Sequence, residues 1–354
     1  MNSEEDIKEL IQTIQLSEGG DFKNNESAIL DEYKKQNANT SSLAIKILSI
    51  IGGFLATIAF LVFLFIAGFY DSEIGLLFFG IGFIVTAIWL NKIYDKLIVD
   101  TVSISIYVIG FFLLGFGLSQ QHVNEDVITI SFLLIAVCSL IITQTYILSF
   151  ISVLIVSASL LTLMLSHSFD DLIHLYNTAI TLILTYFIFC EAKIITTSKK
   201  LSKLYSPIRI GLIISLLFGL GILGKNWLFS VSENYIWVSS ISLFFILIYL
   251  VHRIIGLLEI KHLKNKILIY TLSVLILSST VFAPAILGAT LIILLCYLVN
   301  YKTGLTIGLI ALIYFVSQYY YDLNFTLLTK SIILFSSGIL FLAFYLFTNK
   351  KTIK

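Results

Sequence analysis

The stretch SHSFDDLIHLYN, residues 166–177, places His167, Asp171 and His174 at i, i+4 and i+7. On one continuous helix that spacing lines two imidazoles and a carboxylate along a single face, a donor set that suits zinc. The same residues have a plainer reading. His167 closes one helix, while Asp170 and Asp171, with Ser168 as the cap, suit the partially positive N-terminus of the next. His174 and Asn177, one turn apart, are then interhelical hydrogen-bond partners.

A second polar feature lies in YYYDLNFTLLTKSIILFSSG, residues 319–338, where Lys330 interrupts an apolar ramp that follows Asp322. A lysine one turn inside a membrane span must find a carboxylate, with Asp322 nearest in sequence, or reach outward to water along its own stem. Tyr319, Tyr320 and Tyr321 suit an interfacial aromatic belt. Gly110, Gly115 and Gly117, like Gly219, Gly221 and Gly224, follow no strand, so they suit close helix packing rather than a phosphate loop. The chain has no Ser-His-Asp arrangement, no His-Glu-x-x-His motif and no basic-aromatic surface for nucleic acid. It is therefore read as a non-enzyme with no cofactor, metal or catalytic residue, and its candidate polar residues are Lys330, Asp322, Asp171 and His174.

The elements that carry these residues follow from composition. Of 354 residues, 58% are apolar and only 12% charged, against about a quarter charged in soluble domains. The apolar blocks are long enough for the about 20 helical residues that cross a bilayer, and they lack the alternation of an outer-membrane barrel. The expected fold is all-α, a polytopic transmembrane bundle of about 12 spans. They fall near 45–69, 74–90, 98–118, 127–143, 146–165, 172–190, 207–224, 235–251, 267–283, 285–299, 303–319 and 326–347. The closest pairs are the fourth and fifth, around Thr143-Gln144-Thr145, and the ninth and tenth, divided by Ala283-Pro284.

Residues 1–42 form a polar cytoplasmic segment, residues 43–348 the transmembrane domain and residues 349–354 a cytoplasmic tail. Within the first segment Ile7, Leu10, Ile11 and Ile14 have amphipathic-helix spacing, Ser3 and Asp6 stand as a capping pair, and a second short helix is expected over 26–36. No cleavable signal peptide is visible. With both termini inside, 20 of the 22 basic residues are cytoplasmic, leaving only Lys225 and Lys330 outside with eight acids; short loops rich in Lys and Arg stay in the cytoplasm. A lysine-rich loop from Glu191 to Ser206 divides six spans from six.

The Tyr-Tyr-Asp-Leu run, Leu327-Leu328-Thr329-Lys330-Ser331 and Gly338 resemble the end of a bacterial multi-span membrane family known as domain of unknown function 4401, and the resemblance extends over roughly residues 40–350. It implies an integral inner-membrane protein and suggests a second small membrane protein, with a Gly-Asp-Tyr motif, as a partner. The lipid bilayer is the one certain surroundings. Three function classes stand beside one another. A non-enzymatic scaffold, sensor or complex component comes first. A permease for an apolar or lipid-like substrate is the alternative, since mid-membrane charges are scarce. An intramembrane enzyme comes last.

Overall fold

The structure is a computed structural model that describes residues 43–93, 97–143, 145–224, 235–260, 262–281 and 283–322, with a few scattered positions outside them. Every regular element among these is helical. In chain order they are α1 (Leu43–Ile66), α2 (Glu73–Ile93), α3 (Leu97–Gln120), α4 (Glu125–Ile142), α5 (Tyr146–Ser166), α6 (Leu172–Phe189), α7 (Glu191–Thr197), α8 (Lys199–Gly224), α9 (Ile236–Leu257), α10 (Leu263–Ser279), α11 (Pro284–Leu298) and α12 (Lys302–Asp322), with a 3₁₀ turn at Phe69–Asp71.

Eight of these helices, α2 to α6, α8, α9 and α12, are long and apolar enough to cross a membrane, and shorter apolar stretches occur at Leu55–Ile66 and in α11. Large apolar side chains such as Phe78, Ile74 and Phe245 stand exposed on them, which hydrocarbon tolerates and water does not. The chain is a multi-pass integral membrane protein.

Eleven of the twelve expected segments coincide with a helix, and both close pairs are divided. Thr143 leaves helical geometry at the end of α4 and returns its Oγ1 to the Ser139 carbonyl at 2.7 Å. Pro284 opens α11 at its first position, where its fixed φ suits the helix and its missing N–H costs nothing. Most of the twelfth segment, most of the first 42 residues and Lys330 lie outside the described residues; the described positions there, Lys8, Ile11 to Thr13, Glu26, Ser27, Ile29 and Leu30 in the amino-terminal segment and Leu328, Ser331, Ile332, Phe335 and Ile339 in the twelfth, are helical.

One expectation is corrected. The lysine-rich stretch 191–206 is not a loop: Glu191–Thr197 is a helix and α8 is already under way at Lys199. Ser198 makes the break, its Oγ accepting from the Leu201 N–H at 3.2 Å, so the lysines ride on a capped helix end.

Four helices, α3, α5, α9 and α11, end in one way. His122, Ser168, Glu259 and Asn300 take positive φ, between 48° and 56°. The amide after each reaches back five residues, Val123 to Leu118 at 3.1 Å, Phe169 to Met164 at 2.9 Å, Ile260 to Ile255 at 3.3 Å and Tyr301 to Cys296 at 2.8 Å. These are Schellman turns, which usually carry glycine at the left-handed position and an apolar residue after it. Here only the apolar residue is kept.

The chain divides into two compact units, residues 1–128 with 138–148, and residues 129–137 with 149–354. In the first unit, α2 and α3 pack at Gly80 and Gly110: a Cβ at Gly80 would stand 2.7 Å from the Leu114 amide nitrogen and 3.1 Å from the Gly110 carbonyl oxygen. Leu64, Leu76, Ile109 and Leu113 form the core beside them. Tyr70, in the 3₁₀ turn, donates to the Leu61 carbonyl at 3.3 Å and receives Gln120 Nε2 on its own carbonyl at 2.8 Å; burial pushes its hydroxyl above the usual tyrosine range.

In the second unit, α6, α8, α9 and α11 surround a core that includes Leu184, Ile213, Leu216, Leu247, Leu291 and Leu295. Leu220 of α8 fills the space that Gly288 leaves on α11.

Candidate functional site

The Schellman turn that ends α5 and the start of α6 frame a cleft of about 520 Å³ in the second unit. Ser168, Phe169, Asp170, Asp171, Leu172, His174 and Leu175 line one side, with Tyr235 and Val238 at the start of α9 on the other. Because Ser168 is left-handed, the chain turns sharply there instead of continuing the helix. The amides of Leu172, Ile173 and His174 then bond to the carbonyls of Phe169, Asp170 and Asp171, at 2.9, 3.2 and 3.3 Å.

That break separates the two histidines. His167 stays on the end of α5, its Nδ1 within 3.2 Å of the Leu163 carbonyl and its ring stacked on Phe169 at 5.6 Å. His174 is on the second helix and only 1% exposed. The zinc-like trio therefore never shares a helix face, and no three His, Cys, Asp or Glu side chains gather to hold a metal among the described residues. Asp171 takes the N-cap position of α6 without a side-chain cap bond. Ser168 belongs to the turn before it and is not the cap.

Of the polar residues that run inward along α6, His174 is the one that lines the cleft. His174 Nδ1 lies 3.0 Å from Ser239 Oγ on α9, while its Nε2 has no partner. One turn further in, both polar atoms of the Asn177 side chain are buried and without a partner, as is Ser215 Oγ on α8. Tyr176 bonds to Ser157 Oγ and donates to the Ser215 carbonyl at 3.4 Å. Gly219 makes the space, for a Cβ there would be 2.5 Å from Asn177 Oδ1 and 2.7 Å from the Tyr176 ring.

Deeper along α6, Thr181 and Thr185 continue the same face. Each hydroxyl returns at 2.7 Å to the carbonyl four residues earlier, on Asn177 and Thr181, so these groups are satisfied within their own helix. From His174 to Thr185 the stripe covers about 16 Å of helix.

Buried polar atoms without partners are costly, about 1–3 kcal/mol each, and His174, Asn177 and Ser215 carry four of them on α6 and α8. The chemistry on offer is hydrogen bonding through an imidazole nitrogen, an amide and a hydroxyl. The Ser239–His174 pair resembles the start of a nucleophile–base relay, but a relay needs a third group to orient the imidazole. His174 Nε2 meets none. The arrangement offers hydrogen-bonding groups around the Ser239–His174 pair.

Of the sequence-derived candidates, Asp171 and His174 come together at this cleft. Asp322 is the last residue of α12, and its side chain, like the whole of Lys330, lies outside the described residues. Tyr319 and Tyr321 are exposed, as a membrane-interface belt requires. Sequence reasoning missed Tyr176 on α6 itself, and Ser239 and Ser215, which are ordinary residues until α9 and α8 bring them to His174 and Tyr176.

Comparison with known proteins adds the lineage. Residues 42–351 match the family described as Domain of unknown function (DUF4401). The chain belongs to that family. The DUF4401 match takes in every helix from α1 to α12, and hence the whole cleft. No curated protein and no solved structure matches the chain.

Proposed function

We propose that this protein is a non-enzymatic inner-membrane component, a sensor or a member of a membrane complex, that binds a small polar solute in the cleft of its second unit. The observation that carries the reading is the unpartnered buried Nε2 of His174 in a cleft also lined by Asp170 and Asp171, with the unpartnered Asn177 amide one turn further along α6. A neutral or cationic solute with both donor and acceptor groups suits those groups, and the acidic rim disfavours anions.

Thermal unfolding of the purified protein in detergent, against a panel of small amines, amides and polyols, tests it. A solute that raises the midpoint of the parent but not of His174→Phe supports the site. A panel that shifts both proteins equally, or neither, overturns it.

A second reading, a permease, draws on the continuation of the polar stripe through Thr181 and Thr185. The stripe favours a polar cargo over the apolar or lipid-like one that the scarcity of charges suggested. In either reading both termini are cytoplasmic, supported by the 20 basic residues assigned to that side and the retention of basic loops. A phosphatase active only outside the cytoplasm, fused after Lys354, is expected to be silent; strong activity would reverse the orientation. The second small membrane protein is proposed as a partner that a mild-detergent pull-down would recover.

A further inference from the structure

The end of the second unit opposite the cleft is closed by a column of stacked side chains. Phe187 of α6 lies on Tyr205 of α8, with ring centroids 4.9 Å apart and planes within 10°. The Arg209 guanidinium sits 4.9 Å from the Tyr205 ring and 3.7 Å from that of Tyr301, at the turn between α11 and α12. Glu191, the first residue of α7, receives Arg209 Nη1 at 3.3 Å. One cation thus ties α6, α7, α8 and the α11–α12 corner together at the lysine-rich end.

Two details make this closure releasable. Arg209 is buried, yet its Nε has no hydrogen-bond partner, and the buried Tyr205 hydroxyl faces both Arg209 and Glu191. A buried cation with an open Nε and one ion pair at 3.3 Å is short of the fully bonded arrangement that would lock it. The anion that holds it also stands on a weak support. The seven-residue helix α7 buries none of its side chains, and the Glu191 side chain is 33% exposed.

Beside the stripe, Leu184 of α6 and Ile213 and Leu216 of α8 are fully buried in one aliphatic cluster. The second unit is therefore open at the acidic end, polar down one helix face to Thr185, flanked there by aliphatic side chains and latched at the lysine-rich end.

We propose that the Glu191–Arg209 pair, with the Phe187–Tyr205–Arg209–Tyr301 stack, is the inner gate of a pathway whose outer vestibule is the His174 cleft, and that its release opens the polar stripe to the lysine-rich side. The inference rests on the cleft reading and adds passage to it. Opening the gate moves α7 and exposes the stripe near Thr185, so polar solute bound in the cleft gains an exit that the closed form denies it.

Thiol labelling tests this without any solute, so its outcome is independent of the binding test above. Thr185→Cys is made in the full chain carrying Cys138→Ser and Cys190→Ser, and reconstituted vesicles receive a membrane-impermeant methanethiosulfonate on one side at a time. The buried Cys296, beside Tyr301 and Gly304, is read in the same samples by mass spectrometry of its peptide. With the latch intact the introduced thiol reacts slowly from the lysine-rich side. Glu191→Gln is expected to raise that rate about tenfold, the factor that about 1.4 kcal/mol makes, and to make Cys296 reactive from the same side. Phe187→Leu, which leaves every charge in place, moves the rates in the same direction by less, and Glu191→Asp keeps the slow rate. Rates unchanged in both Glu191→Gln and Phe187→Leu, or raised equally from the two sides, would overturn the gate.

Discussion

Two helix contacts in this protein use glycine to the same end and put opposite things against it. In the first unit a side chain at Gly80 would run into the backbone of Leu114 and Gly110, so α2 and α3 meet main chain to main chain. In the second unit the space at Gly219 is taken by the amide of Asn177 and the ring of Tyr176. The first contact is dry packing, the common basis of helix association in lipid, where burial of apolar surface gives no advantage. The second keeps room between α6 and α8 for polar groups that the protein itself leaves unbonded. Close approach alone therefore says nothing of function; what fills the approach does.

The comparison breaks most readily at Gly80. Gly80→Val has no flexible neighbour to displace, so α2 and α3 must separate, and a stability loss of about 3 kcal/mol is expected. Gly219→Ala meets an amide that can rotate away and is expected to cost about 1 kcal/mol. Thermal unfolding of both variants in detergent checks the contrast, and equal losses would erase it.

A smaller effect, of opposite sign, is expected where the cleft is framed. Ser168→Gly removes the left-handed penalty of a residue with a Cβ, about 1 kcal/mol, without changing the turn. His122→Gly at the end of α3 should gain similarly by the same measurement. A gain at His122 alone would mean that Ser168 contributes something beyond the turn, which the cleft reading does not include.

The smallest expected change in stability sharpens the comparison most. Asn177→Leu replaces two unsatisfied polar atoms with apolar ones of similar size, so the unfolding midpoint should move by no more than about 1 kcal/mol in either direction. Any stabilisation by a polar solute should disappear in the same variant. Loss of stability with solute response retained would make Asn177 a packing residue.

Much of the architecture is legible in the chain because hydrocarbon imposes a simple rule. A segment in lipid must satisfy every backbone group internally, so the apolar blocks become helices, and α1 to α6 and α8 to α12 follow them closely. The turns were less legible. SHSFDDLIHLYN reads as the end of one helix and the start of the next, as the structure has it, but Ser168 reads as the cap, because the left-handed residue at the turn carries none of the glycine that advertises it. Lysine content made 191–206 read as a loop, although lysine is a good helix former and Ser198 caps the helix that follows.

The sequence by itself determined the solvent and the helices, because these depend on composition and on spacing within single segments. Only the tertiary structure decided which polar residues meet. His174 was singled out beside Asp171 and Asn177 on one helix, yet Ser239 on α9, which meets His174, and Gly219 on α8, which meets Asn177, come from other helices. Arg209 counted at first as one more positive charge. It became the centre of a stack only when packing brought it Tyr205, Tyr301 and Glu191. The physical reason is common to both sites: a polar group in a membrane interior is defined by its neighbours across helices, and every apolar helix face offers those neighbours the same greasy surface to pack on, so spacing along one helix cannot say which will be chosen.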